Sequence, residues 1–293
     1  MKSCVICGGP SLIKRLDYLS CQSCGHEALV SSARQTFIVN DPLEIENIKR
    51  TTSLDRFKNN AVRRWAGAAA GGVLVDFGSA SGKFLHGNKS GFSSVIGVEV
   101  TPVAIEFSRA RLQLDIRTSV DDLPGAVSLV TCWHSLEHVP LADIIGVVEG
   151  LSGRLSVEGR MIISVPNSDS LQYRLLRGNY AFYDVPNHHH QFSLRSLDLL
   201  MARVGLRRVK LAFSGIYNVF GWVQGLLNWL GGGHNYLYYR RKRRTGPSKP
   251  AMDVWQFCLL PVVILPAVFM TFLDFIIPGR QGVISVCYEK SPC

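Results

Sequence analysis

Short apolar runs alternate along this chain with segments in which apolar residues recur every three to four positions. The runs show little polar alternation, which is typical of parallel strands covered on both faces. The helical spacing predicts helices within Leu43–Ala70, from about Leu141, and over Ser193–Val204, with Gly205 as the stop. The predicted strands are Val73–Asp76, Ser94–Glu99, Leu114–Thr118, Val127–Cys132, Arg160–Val165, Leu206–Ala212 and Gly282–Lys290. This alternation predicts a doubly wound α/β sheet.

A turn of small residues follows the first predicted strand. Gly78, Ala80 and Gly82 allow a ligand to approach the backbone closely, and the N–H groups of the next helix are expected to point at it. Asp76, at the strand end, suits a ligand that carries an ammonium and a carboxylate, such as S-adenosylmethionine, better than a pyrophosphate. The spacing of the glycines also differs from the dinucleotide fingerprint G-x-G-x-x-G.

The second strand ends in Glu99, about 20 residues beyond the turn, where nucleotide-binding units place the acid that binds ribose hydroxyls. A solvated acid at a strand end is the alternative. Ribose binding is favoured because the rest of the strand is apolar, and because Thr101 and Pro102 immediately begin a helix with a cap and a first-turn proline.

Five ordered segments make the chain resemble the class I S-adenosylmethionine-dependent methyltransferases, in the broad branch with Leu-Glu-His after the fourth strand. The resemblance covers roughly Leu54–Ser214 and a last strand near Gly282–Lys290. It implies a Rossmann-like sheet whose last strand is antiparallel. The matching segments are Asp76-x-Gly78-x-Ala80-x-Gly82, Gly97–Glu99, Trp133–Val139, Gly159–Asn167 and Pro186-Asn187-His188-x-x-x-Phe192-Ser193. The cofactor-binding residues that the resemblance implies are Asp76, Gly78, Ser79, Ala80, Gly82, Glu99, Val100, Ser119, Val120, Cys132 and Trp133.

Ala80 departs from the family, which usually has Gly there, so weakened cofactor binding and a degenerate site both stay open. Methyl transfer to oxygen or nitrogen needs positioning and a base. His138 and His188 are the candidate bases, and His188 is favoured because its loop can close over the acceptor. Either histidine could instead only order a loop. The three consecutive histidines at 188–190 are not expected to converge on one metal ion.

Four of the eight cysteines form two Cys-x2-Cys pairs near the N-terminus: Cys4, Cys7, Cys21 and Cys24. Four thiolates at this spacing predict a structural zinc ribbon with no open coordination position. A disulfide framework is the alternative, disfavoured because no signal-peptide pattern precedes the pairs. His26 is expected at the surface or beside the ligands, not as a ligand. Residues 1–30 carry a net charge of only +1, which argues against nucleic acid as their partner.

Hydrophobic residues make up 47% of the 293 and charged residues only 18%, which is apolar for a purely soluble enzyme. Six of the net +10 charges lie in Arg240–Arg244 and Lys249, between the apolar stretches Leu211–Leu230 and Val254–Ile277. Basic charge beside apolar segments favours an anionic membrane surface. Both flanking strands belong to one sheet, which excludes an odd number of crossings, so we expect a re-entrant or interfacial hairpin, bent with the help of Pro261 and Pro266. A core or a dimer interface is the alternative.

These observations predict five regions: a zinc ribbon (1–30), a linker and helical lead-in (31–70), the cofactor-binding core (71–214), a membrane-associating insert (215–280) and the last strand (281–293). The predicted function is S-adenosylmethionine-dependent methyl transfer at the inner, cytoplasmic face of a membrane. A lipid-linked glycan, a glycolipid or a quinone-like precursor is the expected acceptor. An RNA methyltransferase and a non-catalytic scaffold are the alternatives, and the oligomeric state is open.

Overall fold

The computed structural model describes residues 2–30, 52–231, 233–241, 249–277 and 279–291. Most of the predicted linker and of the Arg/Lys run lies outside them. The strands are β1 (Leu12–Arg15), β2 (Tyr18–Cys21), β3 (Glu27–Leu29), β4 (Gly71–Phe77), β5 (Phe92–Val98), β6 (Asp115–Arg117), β7 (Val127–Trp133), β8 (Leu155–Pro166), β9 (His190–Gln191), β10 (Leu206–Ala212) and β11 (Val283–Lys290). The helices are α1 (Ser53–Trp65), α2 (Lys83–Asn88), α3 (Pro102–Leu112), α4 (Ile144–Arg154), α5 (Leu171–Leu176), α6 (Leu194–Ala202), α7 (Gly215–Gly231), α8 (Tyr236–Arg241) and α9 (Pro250–Ile276).

Seven strands form the central sheet, in the order β10-β11-β8-β7-β4-β5-β6. Strands β4 to β8 are parallel, and β11 runs antiparallel to both of its neighbours. Leu74, Val75, Leu129 and Val130 on the two middle strands are buried because helices cover both faces of the sheet. The predicted Rossmann-like sheet with an antiparallel last strand is confirmed.

The helix ends follow local chemistry. Helix α1 begins at a reciprocal hydrogen-bonded cap between Thr52 and Asp55, and it buries Ala61, Val62 and Trp65, as the apolar spacing predicted. Ser193 caps α6, and Gly205 then adopts a φ of 74° that a residue with a side chain would resist.

The N-terminal segment does not stand apart from the core. Strands β1, β2 and β3 form a second sheet whose fourth strand is β9, contributed by the histidine segment of the core. In this pairing Glu27 lies opposite Gln191, and Ala28 lies opposite His190. The cysteine-bearing segment is therefore hydrogen-bonded directly to the loop that follows β8.

The insert between β10 and β11 is a helical hairpin. Gly215 at the start of α7 lies near Phe275 at the end of α9, and Gly231 at the end of α7 lies near Gln256 at the start of α9, so the two helices are antiparallel. The chain reverses between the helices, and α9 continues through Pro261 and Pro266. The reversal of the hairpin therefore does not lie at these prolines, and a bend of α9 at them stays a prediction.

Candidate cofactor and acceptor site

The turn after β4 has backbone conformations that require or favour glycine. Gly78 has a φ of 74°, and a Cβ there would lie 2.5 Å from the Cβ of Ser135. Gly82 has a φ of 73°. Ala80 has a φ of 47°, in the same left-handed region, where a Cβ is disfavoured by roughly 1 kcal/mol. This conformation explains why glycine is usual at the position of Ala80 in the family.

The N–H groups of the turn bind protein acceptors. Gly78 and Ser79 both donate to the carbonyl of Val98, at 2.8 and 3.1 Å. Ala80 donates to the carboxylate of Glu99 at 2.8 Å. Helix α2, which follows, has only six residues. The amides of Gly78, Ser79 and Ala80 are therefore paired with Val98 and Glu99 at the end of the neighbouring strand. That the N–H groups at the start of α2 face a ligand stays a prediction.

Glu99 organises the cofactor edge of the sheet. Besides the Ala80 amide, its carboxylate accepts hydrogen bonds from the amides of Val100 and Thr101, at 2.8 and 2.9 Å. A carboxylate has about four acceptor positions, so one remains for a hydroxyl such as that of a ribose. Thr101 begins α3 as predicted, but its side chain makes no capping bond.

Asp76 is buried beside the turn. Its Oδ1 accepts a hydrogen bond of 2.6 Å from the hydroxyl of Thr131 on β7. Burial raises the pKa of Asp76 to about 7, and the negative charge of Glu99 adds to this increase. The hydrogen bond from Thr131 and the positive charge of Lys58 act in the opposite direction. A bound ammonium would favour the ionised carboxylate, so the residue fits a ligand with a cationic group.

The remaining cofactor-binding candidates lie at the same carboxyl edge of the sheet. Val100 follows β5 and is exposed, and Ser119 follows β6, where its hydroxyl accepts from the amide of Asp121. The Cys132 side chain is buried in the core. The other two candidates, Val120 and Trp133, are also buried.

Two buried polar atoms among these residues lack hydrogen-bond partners within the described chain: Ser79 Oγ and Trp133 Nε1. Native proteins leave few buried polar atoms without a hydrogen-bond partner, and a ligand or an ordered water molecule commonly supplies the missing partner. The residues of this edge therefore fit a polar cofactor, with Asp76 for the ammonium and Glu99 for the ribose.

His138 and His188 are neighbours, although the sequence offered them as alternatives. Their ring centroids are 4.6 Å apart. His138 Nδ1 lies 3.0 Å from the carbonyl of Asn187, and His188 Nδ1 lies 2.9 Å from that of Phe182. A carbonyl only accepts, so each Nδ1 carries a hydrogen. Burial and the neighbouring His188 lower the pKa of His138 to about 4, which keeps this ring neutral with a lone pair on Nε2.

Glu137 and His134, which were not among the site residues predicted from the sequence, belong to this cluster. The Glu137 side chain is fully buried, and its Oε1 lies 3.1 Å from His134 Nδ1. Burial opposes ionisation, but the hydrogen bond from His134 and the charge of that residue lower the pKa of Glu137. The segment His134–His138 was the available signal, since it places an acid between two histidines.

Aromatic rings connect this cluster to the insert. The ring of His134 lies 4.7 Å from that of Tyr217 on α7 and is stacked at 5.9 Å on Phe182. Phe220, one turn further along α7, lies 5.9 Å from Phe182 and 5.5 Å from Tyr238 on α8. Phe182 and rings of the insert thus border His134.

The four N-terminal cysteines converge. Their Sγ atoms all lie within 4.8 Å of one another, with Cys4–Cys24 at 3.7 Å and Cys7–Cys21 at 3.6 Å. A disulfide requires about 2.05 Å, whereas a tetrahedron with zinc–sulfur bonds of about 2.3 Å has edges of about 3.8 Å. The cysteines therefore fit one zinc ion.

His26 lies beside these cysteines in the interior. Its Nδ1 is 3.8 Å from Cys4 Sγ, and the side chain is buried. The contact agrees with a position next to the ligands, and the expected surface position is wrong.

Comparison with known proteins identifies the family. Residues 49–211 match a family model described as a methyltransferase domain. Among curated proteins, none matches the chain significantly. The chain belongs to this methyltransferase family, and its class is the S-adenosylmethionine-dependent methyltransferases.

Solved structures with the same fold are distant in sequence. A protein described as a sarcosine dimethylglycine methyltransferase from Galdieria sulphuraria has a TM-score of 0.54 at 14% identity, over 84% of this chain and 91% of its own. An S-adenosylmethionine-dependent methyltransferase from Archaeoglobus fulgidus has a TM-score of 0.50 at 16% identity, over 85% of this chain and 100% of its own. The [4+2]-cyclase SpnF has a TM-score of 0.51 at 14% identity, over 83% of this chain and 84% of its own. At these identities the likeness establishes the fold alone.

Proposed function

We propose that this methyltransferase acts at a membrane surface on an acceptor with a lipid or other apolar portion, such as a lipid-linked glycan, a glycolipid or a quinone-like precursor. The cytoplasmic face is the proposed location. Asp76 and Glu99 would hold the ammonium and the ribose of S-adenosylmethionine, which supplies an activated methyl group. His138 and His188, on the acceptor side, would activate the accepting atom.

The polarity of α9 carries this proposal. Its buried residues are Gln256, Val263, Ala267, Thr271 and Asp274. Three of these five, Gln256, Thr271 and Asp274, are polar. The rest of α9 exposes large apolar side chains, among them Leu265 (77% exposed) and Phe257 (64%). A surface helix in water has the opposite arrangement. A lipid environment suits an outward apolar face, and Tyr217, in the same insert, contacts the ring of His134.

The polar contacts of α9 explain why its inner face is fixed. Asp274 accepts a hydrogen bond of 2.6 Å from the indole of Trp222 on α7, and the amide of Gln281 donates to the backbone carbonyl of Asp274. These buried bonds hold α9 in one orientation. Helix α9 is long and apolar enough to cross a membrane by length and composition, but β10 and β11 pair in one sheet, so both ends of the insert lie on the same side. A hairpin that lies in the membrane interface places the apolar surface of α9 in lipid and keeps both ends of the insert on one side.

The four cysteines are proposed to bind one structural zinc ion, because their spacing fits the tetrahedron described above. Four thiolates leave no coordination position for chemistry. The proposed role of the ribbon is to support the histidine segment through the pairing of β3 with β9.

Label transfer from methyl-labelled S-adenosylmethionine tests the function. The full-length protein is incubated with membranes, extracted lipids and total RNA from one source, and the products are separated by phase. Label in the organic phase, dependent on His188, supports the proposal. Label confined to RNA would support the RNA alternative, and binding of cofactor without transfer to any fraction would contradict the proposed acceptor class.

A further inference from the structure

A second group of metal-ligating side chains lies at the acceptor side of the site, outside the cysteine cluster. Glu137, His138 and His188 each offer a ligand atom, and these atoms all lie within 4.8 Å of one another. Glu137 and His138 come from the 3₁₀ turn Leu136–His138 after β7, and His188 comes from the segment before β9. Two separate parts of the chain thus converge on one point.

The two imidazoles are oriented as metal ligands are. Metal-binding histidines almost always donate the hydrogen of the other ring nitrogen to a carbonyl, a carboxylate or water, which fixes the ring and leaves a lone pair on the ligating nitrogen. His138 and His188 both donate from Nδ1 to backbone carbonyls, those of Asn187 and Phe182. Nε2 is then the ligating atom of each ring.

The carboxylate provides an independent observation. Glu137 is fully buried, and its Oε2 has no hydrogen-bond partner within the described residues. A buried carboxylate is strongly disfavoured unless cations or hydrogen-bond donors compensate it. His134 reaches only Oε1, so a second positive group beside Oε2 would complete the compensation.

We propose that Glu137, His138 and His188 bind a divalent first-row transition-metal ion. Two imidazoles and one carboxylate suit Zn²⁺, Mn²⁺, Fe²⁺ or Co²⁺, whereas Mg²⁺ and Ca²⁺ prefer oxygen ligands alone and Cu⁺ prefers sulfur. Three protein ligands leave coordination positions open, and an oxygen of a hydroxyl or carboxyl acceptor is the class of ligand that fits them. Metal binding itself does not depend on the proposed acceptor.

This assignment gives the two histidines a defined role if the proposed function holds. A nitrogen that binds a metal ion cannot also accept a proton, so His138 and His188 would act as ligands and not as bases. An acceptor hydroxyl bound to the ion would have a lowered pKa. The metal site and methyl transfer can fail separately, because the first is measured by binding alone.

Cobalt binding to full-length, zinc-loaded protein tests the site. Co²⁺ is added after the cysteines are filled with zinc, and bound metal is measured after desalting. We expect about one Co²⁺ per chain without a thiolate charge-transfer band. The proton spectrum should contain two exchangeable, strongly shifted N–H signals, from Nδ1 of His138 and of His188.

Three variants decide the outcome. Glu137→Gln keeps the shape and the acceptor for His134 and should weaken Co²⁺ binding by about tenfold or more. His188→Ala should remove one of the two shifted signals. His86→Ala, at an exposed histidine on α2, should change neither the Co²⁺ binding nor the shifted signals. The proposal is overturned if Co²⁺ appears only with a thiolate band, if no ion binds beyond the zinc, or if Glu137→Gln and His188→Ala bind as wild type does.

Discussion

His26 Nε2 lies 3.0 Å from His190 Nδ1, and this hydrogen bond joins the cysteine cluster to the histidine segment of the site. His190 Nε2 lies 2.9 Å from the carbonyl of Val139, which can only accept, so Nε2 carries a hydrogen. Burial holds the pKa of His190 well below its usual range, so the ring is neutral and its Nδ1 accepts from His26. A continuous path therefore runs from Cys4 through both rings to Val139, the residue after His138.

Loss of zinc should reduce turnover through this path. Cys21→Ser should release the metal, loosen β3 from β9 and lower turnover by about tenfold or more. Affinity for S-adenosylhomocysteine should change little, because the turn after β4 makes its hydrogen bonds to β5 and the residues that follow it. Metal analysis, kinetics and calorimetry on the same samples check this. Cys258→Ser, at an exposed cysteine of α9, is the control, and equal effects of the two variants on turnover would contradict the coupling.

Asp76 should lower the free energy of unfolding at neutral pH, although its carboxylate is needed to bind the cofactor. Its pKa is raised to about 7 in the folded protein and is about 3.9 when unfolded, so the protonated form is favoured by folding. Its contribution is fully present below about pH 4 and is lost as the pH rises to about 7. Asp76→Asn should therefore be more stable than wild type at pH 8, by up to about 4 kcal/mol, with a smaller difference at pH 5.

Urea unfolding at pH 5, 6, 7 and 8 measures this difference. The same variant should bind S-adenosylhomocysteine about 1 to 3 kcal/mol more weakly, because an amide cannot pair with the ammonium. Asp122→Asn, at an exposed acid, is the control. A stability difference that does not change with pH would show that Asp76 is ionised throughout.

The exposed face of α9 should bind vesicles. Leu265, Phe269 and Phe272 are all more than 60% exposed. Each leucine or phenylalanine that enters lipid contributes about 1.5 to 3 kcal/mol, so replacing each by Glu should weaken binding to anionic vesicles at least tenfold. Val157→Glu is the control, because Val157 is 73% exposed on β8. Wild-type protein that forms a stable dimer and ignores vesicles would assign this face to a second copy of the chain.

Both histidines of the pair should be needed for turnover. His138→Ala and His188→Ala should each lower it by about 100-fold, because each removes a group that activates the acceptor. In both variants the affinity for S-adenosylhomocysteine should stay within about twofold of that of wild type. In His86→Ala the turnover and this affinity should both stay within the same range. Full activity in either variant of the pair would mean that the corresponding ring only orders its loop.

The sequence predicted the sheet, the cofactor turn and the cysteine site because each depends on local spacing. Leu206–Ala212 forms the strand expected, and Ser193 forms the expected cap. The proximity of His138 and His188 could not be predicted, since 50 positions separate them along the chain and direct hydrogen bonds between the two loops, such as that from the His189 amide to the Glu137 carbonyl, bring them together. The pairing of β3 with β9 places His26 against His190 in the interior, and of the two positions expected for it, at the surface or beside the ligands, only the second is found.

The hydrogen-bond partners of the backbone amides in the turn after β4 could also not be predicted from the sequence. The small residues predicted a close approach of the backbone, but not that the amides of Gly78 and Ser79 donate to the Val98 carbonyl at the end of β5, or that the amide of Ala80 donates to the Glu99 side chain. Ala80 at a φ of 47° illustrates the same limit, because the residue type alone does not report a strained conformation that tertiary contacts maintain.

Calorimetry of S-adenosylhomocysteine tests the cofactor site most directly. Wild type should bind about one molecule per chain, and Glu99→Gln should bind it at least tenfold more weakly, because the amide loses an acceptor for the ribose and turns a donor toward the loop N–H groups. Glu106→Gln, at an exposed glutamate on α3, should bind as wild type does. Absence of binding to wild type, or equal affinity of Glu99→Gln and wild type, would contradict the assignment of this edge as the cofactor site.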